Sequence, residues 1–156
     1  MDWLEPLAAT PVARLLITSS TAYLLVNAAH ILSIGTLFGA VLALDLRLLG
    51  FGQAIPIAPA ATFLSRLAGA GLGLAILTGL CLFSVRPLEY AQNPAFLSKL
   101  ALISLGLLNV LFVHRSTGWK AVASGSSPSV AVQVSATLSI LIWIAAVIAG
   151  RWIGFL

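Results

Sequence analysis

One stretch leaves this chain few options. From Thr21 to Leu49 the sequence is almost wholly apolar, yet it carries a histidine, His30, well inside and an acid and a base, Asp45 and Arg47, near its far end. A bilayer core takes about 20 apolar residues as a helix. The run is therefore long enough to cross, and it must tilt or project beyond the hydrocarbon. Buried in lipid, its backbone has to satisfy its own hydrogen bonds, and helices do that within one segment. Further apolar runs follow at about 61–85, 95–114 and 129–150. The expectation is an all-α integral membrane four-helix bundle, spans about 21–49, 61–85, 95–114 and 129–150, in one domain covering 1–156.

Composition closes off the soluble alternative. Of 156 residues, 60% are hydrophobic and 8% charged, against about 25% charged in a soluble domain. So few charges cannot coat a water-exposed surface. The net charge is +4, but the basic residues stand singly near the ends of apolar runs. That pattern suits snorkelling to lipid headgroups and gives no nucleic-acid footprint. The partner read most directly is the lipid bilayer. Cys81 is the sole cysteine and Met1 the sole methionine. No internal disulfide, CxxC site or thioether copper path can be built from them.

Residues 1–20 are apolar but broken by Pro6 and Pro11. They read as an N-terminal interfacial segment with Trp3 at headgroup level, and the acids Asp2 and Glu5 are unlike the start of a signal peptide. The linkers read as loops: 51–59 with Pro56 and Pro59 barring helix, 86–94, and the Ser- and Gly-rich 115–128. Four spans put both ends of the chain on one side, the terminal face, and the first and third loops on the other, the loop face. Basic residues divide evenly between the two. Lys99 and Arg151 sit at helix ends rather than in loops, which tips the balance toward a cytoplasmic loop face. Gly69 and Gly73 have the small-xxx-small spacing that lets helix backbones approach closely.

The titratable residues inside the spans are the candidates for chemistry. His30 lies roughly 13 Å deep at 1.5 Å per residue, with Asn27 and Ser33 on the same stripe. A neutral imidazole there is a ligand for haem iron, a proton relay, or a structural hydrogen-bonding group. His114, the other histidine, lies about 15 Å away in depth by the same rise, so the two would not share one iron. Lys99, near the start of the third span, has the reach to approach the level of His30. Arg86 and Arg151 share its face and are suited to propionates. Asp45 is expected to pair with Arg66 or Arg115 on a neighbouring helix, or else to relay protons.

The runs "AHILSIGTLFGAVLALDLRLLG", "FLSKLALISLGLLNVLFVHR" and "AGRWIGF" resemble an uncharacterised family of small four-helix bacterial inner-membrane proteins. More distantly, the chain is similar to the copper resistance protein D superfamily, which includes the HemJ-type membrane protoporphyrinogen oxidase, a b-haem protein. The resemblance places that oxidase's helix-borne histidine on His30 and its lysine on Lys99. The "DLRLLG" ending and the lack of aromatic residues around His30 depart from the oxidase pattern and argue against that activity itself. What the resemblance implies is a haem b site at His30 and Lys99, and Arg86 and Arg151, on the same face, are expected to help neutralise its propionates. The expected function is a redox or electron-transfer subunit serving a membrane or periplasmic partner, and a homo-oligomer is compatible with it. The alternatives are a cofactor-free assembly subunit, packing through Gly69 and Gly73, and a small-ion or copper transporter.

Overall fold

The computed structural model describes residues 4–155. It contains eight α-helices and, among the described residues, no strand. Trp3, expected at headgroup level, lies outside the described residues.

Four helices are long and apolar enough to cross a membrane: α3 (Ser20–Leu48), α4 (Ile57–Phe83), α6 (Pro94–Arg115) and α8 (Val130–Trp152). A short 3-10 turn, Ile153–Phe155, extends the last. The chain is a membrane protein of all-α architecture. The boundaries fall close to those legible in the sequence, with one instructive exception. α4 begins at Ile57, not near 61, because Pro59 sits in its first turn, where the missing N–H has no intrahelical partner to lose.

The segment before α3 forms two short helices, α1 (Glu5–Ala8) and α2 (Pro11–Thr18), separated by Thr10. Thr10 caps α2 by accepting from the Ala13 amide at 3.3 Å. α2 buries Ala13 and Leu16 and exposes Val12, Leu15 and Ile17, the pattern of a helix lying across an apolar surface. Two segments expected as loops are helical. α5 (Pro87–Gln92) starts on a proline, and α7 (Thr117–Ala123) starts on Ser116, whose hydroxyl accepts from the Trp119 amide at 3.1 Å. The N-terminal helices, α5, the start of α6 and the C-terminal turn gather at one end, which is the terminal face. α7 packs over α4, α6 and α8 at the loop face.

α3 is the central helix: 39% of its apolar window is buried, against 6% in each of α4 and α6. It packs along α4 and against α8, and α8 packs along α6. α4 and α6 share no extended seam. The tightest crossing is between α3 and α4 at Gly71. A Cβ placed there would stand 2.7 Å from Leu37 N and 3.1 Å from Ser33 O. The expected contact pair is thereby corrected. Gly69 and Gly73 are exposed and a Cβ on either meets nothing within 4 Å, because they fall on the outer face of α4, on either side of the glycine that faces inward. On the other pair, Gly106 of α6 seats the Trp143 indole, whose Cε2 would lie 3.1 Å from an added Cβ. One turn on, Asn109 and Ser135 clamp α6 to α8. The Ser135 hydroxyl donates to Asn109 Oδ1 at 2.6 Å, and Asn109 Nδ2 donates to the Ser135 carbonyl at 3.1 Å.

The packed core lies mainly toward the loop face. Leu44, Leu48, Ile57, Ala61, Val122, Val132 and Ala136 form one cluster; Leu37, Val41 and Trp143 form a second, nearer mid-span.

Candidate functional site

In the terminal half of the bundle, His30 of α3 faces α4. Its Nδ1 lies 2.9 Å from Thr78 Oγ1. The Thr78 hydroxyl donates its own proton to the Leu74 carbonyl at 2.6 Å, so its oxygen is left to accept and the imidazole donates from Nδ1. That tautomer leaves Nε2 with the lone pair. The ring fits because the residue after Thr78 is glycine: a Cβ at Gly79 would stand 3.1 Å from His30 Cε1. His30 is half-buried and held by Thr78, which leaves Nε2 as the basic ring nitrogen.

Lys99 stands in the second turn of α6, at its terminal-face end. Its stem lies over Gly150 of α8, with Nζ 3.9 Å from where a Cβ there would be. His30 and Lys99 both lie in the terminal half of the bundle, on α3 and α6. Arg86 is placed elsewhere on the same face. It lines a cleft of about 1020 Å³ with Tyr23, Glu89, Tyr90, Ile153 and Gly154, and makes an exposed ion pair to Glu89 at 3.3 Å. Arg151 is exposed and lies over the Phe155 ring, 4.7 Å from its centroid. Both arginines are at the terminal face, and neither is drawn into the interior beside His30. Between the cleft and the His30 level, Phe83, Tyr90 and Phe96 form an aromatic layer, with Phe83 and Phe96 stacked at 5.5 Å.

His114 takes no part in this region. Its Nδ1 donates to the Val110 carbonyl at 2.9 Å, and its ring lies against Trp119 of α7 at 4.1 Å. The separation in depth from His30 expected from the sequence is borne out.

Asp45 departs from expectation. It is 6% exposed, and no cation lies within ion-pair distance among the described residues. Arg66 and Arg115 are on the exposed surface. Arg47 donates instead to the Ile55 carbonyl at 2.8 Å. Asp45 turns into the bundle beside Ser139 because its helical face is the one that carries Val41, Leu44 and Leu48 into the core. No three His, Cys, Asp or Glu side chains come together among the described residues.

The model of a family of unknown function, DUF6644, matches residues 17–156. The chain belongs to this family. No curated protein and no solved structure matches it. The match begins within α2 and takes in all four spans, so His30, Lys99, Arg86 and Arg151 all lie inside the family's extent.

Proposed function

We propose that this DUF6644 protein is a b-type haem protein of the bacterial inner membrane, acting in electron transfer. The observation that carries the reading is the state of His30. Histidines that ligate metals donate their second ring N–H to a fixed acceptor, which sets the tautomer and strengthens the ligating nitrogen. Thr78 does this for His30, and Nε2 is left as the donor atom. An oriented imidazole, an amine from Lys99 in the same half of the bundle, and cationic Arg86 and Arg151 at the adjoining face support the reading.

In this reading His30 holds the iron. Lys99 supplies a second ligand or meets a propionate, and Arg86 and Arg151 draw the propionates toward the terminal face. When bound, haem supplies one-electron transfer. The chain's own contribution is to fix His30 through Thr78, to make room for the ring at Gly79, and to exclude water with the Phe83, Tyr90 and Phe96 layer. With the loop face cytoplasmic, the His30 half faces the periplasm, and the cleft lined by Arg86 is where a membrane or periplasmic redox partner would meet it. The more distant likeness to the copper resistance protein D superfamily is part of this proposal.

A second reading has one observation in its favour. Gly69 and Gly73 present a bare, exposed strip of α4, against which a helix of another chain or another copy could lie closely. That is the surface a cofactor-free assembly subunit, or a homo-oligomer, would use. Transport of copper would need clustered soft or imidazole donors, and no three His, Cys, Asp or Glu side chains come together among the described residues. Oxidised and reduced visible spectra of protein purified from haem-replete cells separate these readings. A Soret band that shifts on reduction supports haem; a folded, colourless protein supports the assembly subunit.

A further inference from the structure

A closed set of unmet hydrogen bonds lies in the loop-face half of the bundle, away from His30. Asp45 Oδ2, Ser65 Oγ and Trp143 Nε1 are all buried, and none has a hydrogen-bond partner. Asp45 is 6% exposed and Trp143 4%. Buried polar atoms in native proteins are nearly always paired, so three orphans in one place call for an occupant. All three residues line one cavity of about 140 Å³. α3 and α8 wall it, and Trp119 and His114 roof it toward the loop face. On the remaining side stand Gly69 of α4 and Leu107 of α6, both exposed, on the two helices that share no seam. The cavity therefore opens sideways, toward lipid.

The occupant must answer three constraints. Trp143 Nε1 can only donate, and an ionised Asp45 can only accept. A bare cation leaves the indole unmet and an anion repels the carboxylate, so the ligand carries both donor and acceptor. Ser135, Ser139 and His114 also line it, and the rest is aliphatic and aromatic, with Leu37, Val41, Leu44, Leu72, Val110 and Val113 among the side chains. Each buried water needs two to four polar partners, and the largely apolar side chains of the lining offer a cluster of waters few of them. A cavity of about 150 Å³ accepts one benzene-sized ring.

We infer that this cavity binds the headgroup of a lipid-soluble hydroquinone of the benzoquinol class, taken up from the bilayer between α4 and α6. One ring hydroxyl donates to Asp45, the opposite oxygen accepts from Trp143 Nε1, and Ser65 meets whichever oxygen lies nearer. The isoprenoid-type tail leaves past Gly69 and Leu107 into lipid. The proposal concerns binding alone. It stands apart from the haem reading, since no part of it depends on a cofactor at His30.

The test uses the full chain in lipid nanodiscs equilibrated under argon with a decyl-chain benzoquinol. Bound quinol is extracted and counted per chain against empty discs, which removes simple partitioning. The wild type is expected to show saturable binding approaching one quinol per chain. Asp45→Asn is expected to raise the half-saturation concentration at least tenfold. Gly69→Leu narrows the lateral opening at a position where a Cβ meets nothing within 4 Å, so it folds and is expected to abolish the saturable component. Uptake no greater than that of empty discs, which would mean water alone fills the cavity, would overturn the proposal. So would saturable binding unchanged in both variants, which would place the quinol elsewhere.

Discussion

The α3–α4 seam makes a prediction whose sign changes within two residues. At Gly71 an added methyl would come 2.7 Å from Leu37 N, 3.0 Å from Leu37 Cα and 3.1 Å from Ser33 O, all backbone atoms that cannot swing aside. Gly71→Ala therefore has to push α3 and α4 apart. Overpacking of this kind costs about 1–3 kcal/mol. Replacing glycine by alanine in a helix returns about 0.5–1 kcal/mol of backbone entropy. The net expectation for Gly71→Ala is a loss of about 1–2 kcal/mol, close to tenfold in the folding equilibrium. At Gly69 and Gly73 a methyl meets nothing within 4 Å, so only the entropy gain remains. Gly69→Ala and Gly73→Ala should each stabilise by about 0.5–1 kcal/mol. Reversible unfolding in mixed micelles of rising denaturing-detergent fraction, followed by helical circular dichroism, reads all three midpoints in one series. A Gly71→Ala midpoint at or above wild type would refute the packing account. So would Gly69→Ala or Gly73→Ala proving the most damaging of the three.

Three further outcomes follow from single contacts. Thr78→Val removes the acceptor of the His30 N–H at 2.9 Å; loss of such an orienting partner weakens metal-group binding about 10- to 100-fold, measurable as haem lost from the variant during dialysis against apomyoglobin. The Asn109 and Ser135 clamp should show a coupling energy of about 0.6–1.7 kcal/mol, the range of interhelical side-chain bonds in membranes, in a double-mutant cycle of Asn109→Leu and Ser135→Ala. Asp45→Leu removes a buried carboxylate that lacks an ion partner among the described residues; it should stabilise the fold by about 1 kcal/mol, read as a raised unfolding midpoint, while any ligand that Asp45 recognises is lost.

How far the sequence alone reached differs from level to level, for physical reasons. The four spans were legible because a bilayer imposes a length and a polarity that a string of letters displays directly. Pro59 misled by about four residues, because the same residue that ends a helix is tolerated in its first turn. α5 and α7 are too short for periodicity to show, and their start signals, Pro87 at the first helical position and the Ser116 cap, occur within stretches whose composition is that of a loop. Gly69 and Gly73 had the spacing of a contact pair, but spacing says only that two residues share a face, not which face turns inward. Gly71 has no such partner in the sequence and makes the closest crossing. The ion pair expected for Asp45 failed similarly. Arg66 and Arg115 were near enough in depth, but their side of the helix faces outward. His30 and Lys99 were found because each is an unusual residue for its depth. Thr78, Gly79 and Gly150, which position them, are ordinary residues for a membrane helix, and only the fold brings Thr78 across 48 positions to His30. Ser65 and Trp143 gave no signal at all until their polar atoms proved to be buried without partners.

The central claim is that His30 Nε2 is the ligating atom of a haem site. The direct measurement is the electronic spectrum of wild-type protein and His30→Ala, expressed in haem-replete cells and purified side by side with equal helical content. The account predicts a Soret band in the wild type that is lost or converted to a weakly held, high-spin form in His30→Ala. An identical spectrum in the two proteins would contradict it, as would a colourless wild type.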